Sequence, residues 1–543
     1  MNGAELFVRC LLNEGVEYIF GLPGEENLHL IEALRHTPIT FVTCRHEQGA
    51  AFMADVYGRL TGRPGVCLAT LGPGATNLVT GVADANLDHA PLIAIAGQAA
   101  TTRLHKESHQ VLDLVALFSP ITKYSARTVS PAVIAEVTRK AFRLAQTEKK
   151  GACFIELPED VAQQEAAGEP LAVYDPILPE PQGAQLKKAA ELIGRASRPM
   201  ILAGNGAIRD GACQALRRFA EACNIPVANT FMAKGVIPFH HPLALGSAGL
   251  QARDYVSCGF GQADCIVCVG YDLVEYHPRL WHPSADRVII DIDSTPPETD
   301  SHYPVSAALV GDIAVSLDRL AALATPHPGQ FMRPLREALL NAMEAHAADP
   351  GFPMKPQRII HALRQALAPE DVVLCDVGAH KMWMARMFPC EAPNTCLISN
   401  GFASMGIALP GAVAASLVSP ERKVVAVTGD GGFLMNVQEL ETAQRLGLAF
   451  AVLIWNDGGY GLIEWKQENA FGHSSQVRFG NPDFVQLAAS FGARGYRVER
   501  AEALGPILRE ALAQPVVAVI DCPVDYRENL RLTEELREMI CPI

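Results

Sequence analysis

The chain has 543 residues, too many for one hydrophobic core and suited to about three or four domains. With 49% hydrophobic and 19% charged residues it reads as an ordinary folded, soluble protein. A formal net charge of -14, with no clustered basic face, excludes nucleic acid as a partner.

The N-terminal stretch MNGAELFVRCLLNEGVEYIF carries Glu5, Glu14 and Glu17, so it lacks the basic start and unbroken apolar stretch of a signal peptide. The longest apolar runs, such as Ala449–Trp455, fall far short of the about 20 residues that span a bilayer, so no membrane association is expected and these runs read as buried strands. Fourteen cysteines without a disulfide-like framework point to a cytoplasmic protein with reduced thiols.

The first block alternates β-rich runs (ITFVTC, VCLATLG, PLIAIAG, CFIELP) with helical patterns such as QGAAFMADVYGRLTG, which predicts parallel strands joined by crossover helices. His46-Glu47 begins like a zinc-protease helix, but position 50 is Ala50 rather than the second histidine. Glu47 is left as a carboxylate opening an apolar helix at a strand's C-terminal end, where the macrodipole favours it. Leu71–Asn77, LGPGATN, is a glycine turn at the end of the next strand, the edge where open α/β sheets bind ligands. A proline-rich stretch, Glu165–Ala184, then closes the block as an extended linker.

The second block opens with PMILAGNGAIRDGACQALRRFAEA and continues through CIVCVGYD and RVIIDID. Its Gly204-Asn205-Gly206 turn lacks the third glycine of a dinucleotide fingerprint, since position 209 is Arg209, and is read as a bare turn. Cys265 and Cys268 have metal-like spacing but lie in an apolar strand with no second pair, so core packing is expected rather than zinc. A second linker, TPHPGQFMRP to PGFPMKP, leads to the third block, whose predicted strands are VVLCDVG, VVAVTGDG, AFAVLIWND and VVAVIDCPVD. The predicted fold class is α/β with three doubly wound parallel-sheet domains, at 1–165, 185–325 and 355–525, followed by a tail at 526–543.

The third block carries the strongest constellation. DVGAHKMW, Asp376–Trp383, is one glycine turn; VTGDGGFLMN, Val427–Asn436, is another, and the next strand ends in Asn456-Asp457-Gly458-Gly459. Asp430 and Asp457 are 27 residues apart, enough for strand, crossover helix and adjacent parallel strand, which sets both carboxylates at one sheet edge. Two carboxylates beside glycine turns suit Mg²⁺ shared with phosphate oxygens, the helix-start amides meeting a diphosphate. Two aspartates that merely cap loops are the alternative.

Together RHEQGAAF, LGPGATN, SNGFASMG, GDGGFLMN with ND 27 residues on, and CPVDYREN resemble the thiamine-diphosphate-dependent 2-oxo acid enzymes. Through HQVLDLVALFSPITKYS, VGYDLVEYHPRLW and ISNG the chain is most similar to the catabolic, FAD-independent acetolactate synthases. The resemblance implies pyrimidine-binding, central and diphosphate-binding domains, in that order. It implies that Glu47 hydrogen-bonds the aminopyrimidine N1′, with Gly24, Thr70, Gly74 and Asn77 around it, and that Gln110 positions the acceptor. Met405 would wedge the cofactor into a bent form, and the Ala403 carbonyl would receive the pyrimidine amino group. Asp430, Asp457 and the Gly459 carbonyl would hold Mg²⁺, while Gly378, Ala379, His380, Gly429, Gly431, Gly432 and Tyr460 would surround the diphosphate. No FAD is expected. Pyruvate would be decarboxylated and condensed with a second pyruvate to 2-acetolactate, in a homodimer or homotetramer with active sites between subunits.

Some pocket positions depart from that pattern: Glu25-Glu26 replace Ala-Lys, Lys466 replaces glutamine, and Phe402 and Ala403 replace more polar residues. Added carboxylates oppose an anionic substrate unless positive charge is supplied elsewhere, for which Lys466 is a candidate. Trp465 is offset by one from the acceptor-selecting tryptophan of the anabolic enzymes, so that role is not transferred. The rival readings are a related thiamine enzyme acting on another 2-oxo acid and a catalytically silent homologue.

Overall fold

Short apolar runs with buried residues on both faces are what parallel strands under crossover helices require, and they organise the chain. A computed structural model describes residues 1–543 except 175–176, 250–253, 324, 328–330 and 539. The described strands form three six-stranded sheets in which every neighbouring pair is parallel.

The first sheet comprises β1 (Tyr18–Gly21), β2 (Thr40–Thr43), β3 (Gly65–Ala69), β4 (Leu92–Gln98), β5 (Tyr124–Arg127) and β6 (Ala152–Pro158). Its spatial order is β2-β1-β3-β4-β6-β5. The second comprises β7 (Pro199–Ala203), β8 (Val227–Asn229), β9 (Ala244–Ser247), β10 (Cys265–Val269), β11 (Val288–Asp293) and β12 (Val305–Val310), ordered β12-β11-β10-β7-β8-β9. The third comprises β13 (Val372–Cys375), β14 (Cys396–Ile398), β15 (Val424–Gly429), β16 (Ala451–Asn456), β17 (Arg494–Arg497) and β18 (Ala518–Pro523), ordered β14-β13-β15-β16-β18-β17. The first and third sheets therefore share one topology. The chain reverses direction across the sheet between β1 and β3, between β7 and β10, and between β13 and β15, and such switch points are where open α/β sheets receive ligands.

The chain packs as two units. One holds Met1–Pro176, Gly401–Glu421 and Leu434–Leu448; the other holds Ile177–Asn400, Arg422–Phe433 and Ala449–Ile543. In the first unit the Glu47–Thr61 helix starts under a cap in which His46 Nδ1 accepts from the Gln48 amide at 3.1 Å, and it ends at Gly62 with φ +70°. The Pro73–Leu87 helix lies against it so closely that a Cβ on Gly81 would sit 2.5 Å from Ala51 Cβ. The Ala408–Val418 helix, though late in sequence, also packs on the Glu47–Thr61 helix.

In the second unit, cores fill both faces of the middle sheet. Cys265 packs in one and Cys268 in the other, so the two thiols face opposite ways and share no ion. The expectation that all thiols are reduced is corrected at one pair: Cys258 and Cys541 form a disulfide, Cα–Cα 5.8 Å, that fastens the tail to the Tyr255–Gln262 helix. The spacing between them in sequence, 283 residues, carried no sign of it. Among the described residues no helix is long and apolar enough to cross a membrane.

Candidate active site

The residues picked out by sequence gather at two switch points, one in each packing unit. In the first unit, Glu47 opens its helix beside the C-terminal end of β3. Its carboxylate is buried, and Asn77 Nδ2, from the Pro73–Leu87 helix, donates to Glu47 Oε2 at 2.9 Å. Gly74 leaves the room between: a Cβ there would lie 3.0 Å from Thr70 Cγ2 and 3.3 Å from Glu47 Oε1. Gly24 is equally tight against Thr70, with a Cβ 2.5 Å from the threonine Cβ. Thr70 Oγ1 in turn donates to Glu26 Oε2 at 2.8 Å, so a second carboxylate shares this wall.

The turn before Glu47 is held from an unexpected direction. Glu439, fully buried, accepts the Arg45 amide at 3.1 Å and the His46 amide at 3.0 Å through Oε1. Gln110 stands at the lip of the same region in a left-handed conformation, φ +58°, against Gly72, φ +51°. Ala403, φ +58°, and Met405, half-buried, lie on the loop before the Ala408–Val418 helix and belong to this unit.

The second cluster is built by register. Thr428 pairs with Ile454 and Gly429 with Trp455, which brings Asp430 and Asp457 to one edge of the third sheet. Asp430 Oδ1 accepts the Gly431 amide at 2.8 Å; Oδ2 accepts the Gly458 amide and Asn481 Nδ2, each at 2.8 Å. A carboxylate has about four lone-pair positions, so one is left to face outward. Asp457 Oδ2 is buried and makes no hydrogen bond among the described residues, with Arg478 Nη1 at 3.9 Å. Burial, then the nearby Asp430, push the Asp457 carboxyl up to about 7. A cavity of about 270 Å³ opens beside it, lined also by Glu464, Arg478 and Tyr526.

His380 closes the other side, from the first turn of the Ala379–Met387 helix. Gly378 leaves space for its ring: a Cβ there would meet His380 Cε1 at 2.8 Å. Burial pushes the imidazole down to about 3, so it is neutral, and its Nε2 has no partner. Asn481 Oδ1, Trp455 Nε1 and Tyr526 Oη are likewise buried without hydrogen-bond partners among the described residues. Each such atom costs on the order of 1–3 kcal/mol unless something bonds it. Two crowded carboxylates and glycine-lined helix starts fit a divalent cation carrying a diphosphate. Gly431 and Gly432 keep the turn open, with Tyr460 packed edge-on against Phe479 beside Gly431.

The switch point of the middle sheet is filled by the chain itself. Glu275, buried, accepts the Asn205 amide at 2.9 Å through Oε1, where a nucleotide phosphate would otherwise meet that turn, and Thr230 donates to its other oxygen. A Cβ on Gly204 would meet the Gly270 carbonyl oxygen at 2.3 Å, so the glycines serve close packing against the 270–275 segment. Lys466 is exposed, and Trp465 lines the cavity beside Asp457 while its indole donates to Thr533 at 2.8 Å. Asn481 and Glu439 were missed in the sequence because each reaches its partner from a stretch without periodicity or spacing relation to it.

Comparison with known proteins identifies the family. Residues 1–117 match the family described as thiamine pyrophosphate enzyme, N-terminal TPP binding domain; 186–320 match its central domain; 376–522 match its C-terminal TPP binding domain. An acetolactate synthase of Bacillus subtilis is 37% identical over 541 residues, covering 98% of this chain and 95% of the relative. A catabolic acetolactate synthase of Raoultella terrigena is 36% identical, covering 98% and 97%, and a probable acetolactate synthase large subunit of Methanocaldococcus jannaschii is 36% identical, covering 98% and 93%. With two TPP-binding modules and a central domain matched in order, and relatives aligned along nearly its whole length, the chain belongs to the thiamine pyrophosphate enzyme family.

Proposed function

We propose that this protein is a thiamine diphosphate- and Mg²⁺-dependent carboligase of the cytoplasm that decarboxylates pyruvate and joins the remaining two carbons to a second pyruvate, giving 2-acetolactate. The observation that carries this is the 36–37% identity along nearly the full chain to proteins named acetolactate synthase, one of them catabolic. Asp430, Asp457 and the Gly459 carbonyl would hold the cation. Amides around Gly378, Ala379, His380, Gly429, Gly431 and Gly432 would receive the diphosphate. The Ala403 carbonyl, Met405 and Glu47 would hold the aminopyrimidine, and Glu47 would pass a proton at its N1′. Once bound, the cofactor supplies the electron sink for loss of CO₂. No FAD is required by this reading. The domain limits that go with it are 1–165, 185–325 and 355–525.

A second reading is favoured by one contact. Glu26, bonded to Thr70, sets a second carboxylate on the wall beside Glu47, which disfavours an anionic acceptor. The alternative is therefore a decarboxylase or carboligase acting on another 2-oxo acid or joining it to a neutral acceptor. Incubation with pyruvate, thiamine diphosphate and Mg²⁺, followed by product identification across short 2-oxo acids, separates the two. Acetolactate supports the first; acetaldehyde, or turnover only of other oxo acids, supports the second.

Gln110 would orient the acceptor. At Gly72 a Cβ would meet the Gln110 carbonyl oxygen at 2.8 Å and its Cβ at 2.9 Å. Gly72→Ala is expected to displace that loop, raising KM for the oxo acid roughly tenfold, about 1.4 kcal/mol, while cofactor affinity holds. Steady-state kinetics check this, and an unchanged KM contradicts the role given to Gln110.

We further propose that each site takes Glu47 from one chain and the Asp430–Asp457 cradle from another, in a homodimer or a homotetramer of dimers. Co-expressing Glu47→Gln with Asp430→Ala, each inactive alone, is expected to restore about a quarter of wild-type activity through mixed dimers. No restoration would place both halves of each site in one chain.

A further inference from the structure

Arg59 sits in the first packing unit among three carboxylates, Asp55, Asp84 and Asp88, all essentially inaccessible to solvent. Asp55 takes the guanidinium in two-point fashion, at 2.7 and 3.2 Å. Asp84 and Asp88 each add one oxygen, Oδ2, at 3.1 and 2.6 Å. Asp84 and Asp88 thus face Arg59 through one oxygen each. Their other oxygens have a destination. Asp88 Oδ1 accepts the Gly401 amide, and Asp84 Oδ1 accepts the Ser404 amide at 3.2 Å.

Between those two anchors lies Ala403, φ +58°, a left-handed conformation that residues with a side chain rarely adopt. A third anchor follows, where Asn436 Nδ2 donates to the Gly406 carbonyl at 2.9 Å. Gly401 is shaped to its anchor, since a Cβ there would stand 2.7 Å from both Asp88 Oδ1 and the Leu87 carbonyl oxygen. A strained loop persists only where its surroundings over-determine it, and here the surroundings are the two extra carboxylates.

We infer that Asp84 and Asp88 are positioning residues: they fix the Gly401–Gly406 loop, and with it the Ala403 carbonyl and Met405, by bonding its amides with the oxygens opposite those that face Arg59. This rests on the reading that Ala403 and Met405 hold the aminopyrimidine. Neither aspartate touches the cofactor; they act through the loop.

The test compares Asp88→Ala, Asp88→Asn and Gly401→Ala. In Asp88→Ala, Arg59 keeps its two-point partner Asp55, so melting temperature should hold within a few degrees. Two readouts should move: hydrogen exchange at the Gly401 and Ser404 amides of the cofactor-free protein, faster by about tenfold, and kcat, lower by about tenfold or more, with KM for pyruvate within about threefold. Asp88→Asn keeps an oxygen for the Gly401 amide and should restore most of both. Gly401→Ala leaves the charge cluster intact and pushes the loop off its anchor, so it should reproduce the kinetic defect, and it decides the matter if Asp88→Ala does not fold. Normal exchange and normal kcat in Asp88→Ala, an Asp88→Asn as impaired as the alanine variant, or a silent Gly401→Ala each overturns the inference. Absence of any wild-type turnover would instead sink the proposed function, and the exchange measurement on cofactor-free protein would still decide the anchor.

Discussion

Glu47→Gln is expected to lose turnover by a factor of about 10²–10⁴, the range that a positioned acid–base group supplies. Cofactor affinity should stay within about tenfold, no more than about 1.4 kcal/mol. Asn77 Nδ2 donates to Glu47 Oε2 at 2.9 Å, and a glutamine can present its carbonyl oxygen to the same donor. Glu439 caps the helix start through backbone amides of Arg45 and His46, so that support is independent of the side chain at 47. What the substitution removes is the ability to exchange a proton. Turnover assays beside a fluorescence titration of thiamine diphosphate check both halves. Unchanged activity would refute the role given to Glu47, and lost binding with lost activity would make it a structural residue.

Asp457→Asn should separate binding from folding. Asp457 Oδ2 forms no hydrogen bond, so the amide sacrifices none there, and it removes the repulsion with Asp430 that, after burial, raises this carboxyl. The cofactor-free variant should melt at the wild-type temperature or a few degrees above it. Binding of Mg²⁺ with thiamine diphosphate should weaken about a hundredfold or more, roughly 2.7 kcal/mol, because half of the anionic pair is gone. Asp430 is the poorer choice for this comparison: its oxygens already serve the Gly431 and Gly458 amides and Asn481, and truncation would orphan those donors as well. Thermal melts with and without ligands give the answer. An Asp457→Asn protein that binds both as tightly as wild type would remove the cation from this site.

The sequence was most legible where one local rule is enough. Glycines at strand ends mark the switch points, and 27 residues between Asp430 and Asp457 span a crossover, so the shared sheet edge of these two carboxylates could be read directly. The strong apolar runs became β3, β4, β6, β10, β11, β13, β15, β16 and β18. Short edge strands such as β5, β14 and β17 were not anticipated; β17, Arg494–Arg497, is half-exposed and has no apolar face to betray it. Long-range support was invisible for a different reason. Asp88 and Gly401 are 313 residues apart, Glu439 and His46 are 393 apart, and no periodicity links such pairs. The same holds for the Gly401–Glu421 and Leu434–Leu448 segments, which pack with the N-terminal unit although they lie among the strands of the third sheet in sequence.

The proposed function assigns thiamine diphosphate and Mg²⁺ to Glu47 and to the Asp430–Asp457 pair. The most direct test is therefore reconstitution. Protein stripped of small molecules by chelation and dialysis is given pyruvate with thiamine diphosphate alone, Mg²⁺ alone, or both, and the products are identified. Acetolactate formed only when both are present is the predicted result. Equal turnover in the stripped protein, or none when both are restored to a folded chain, would contradict it.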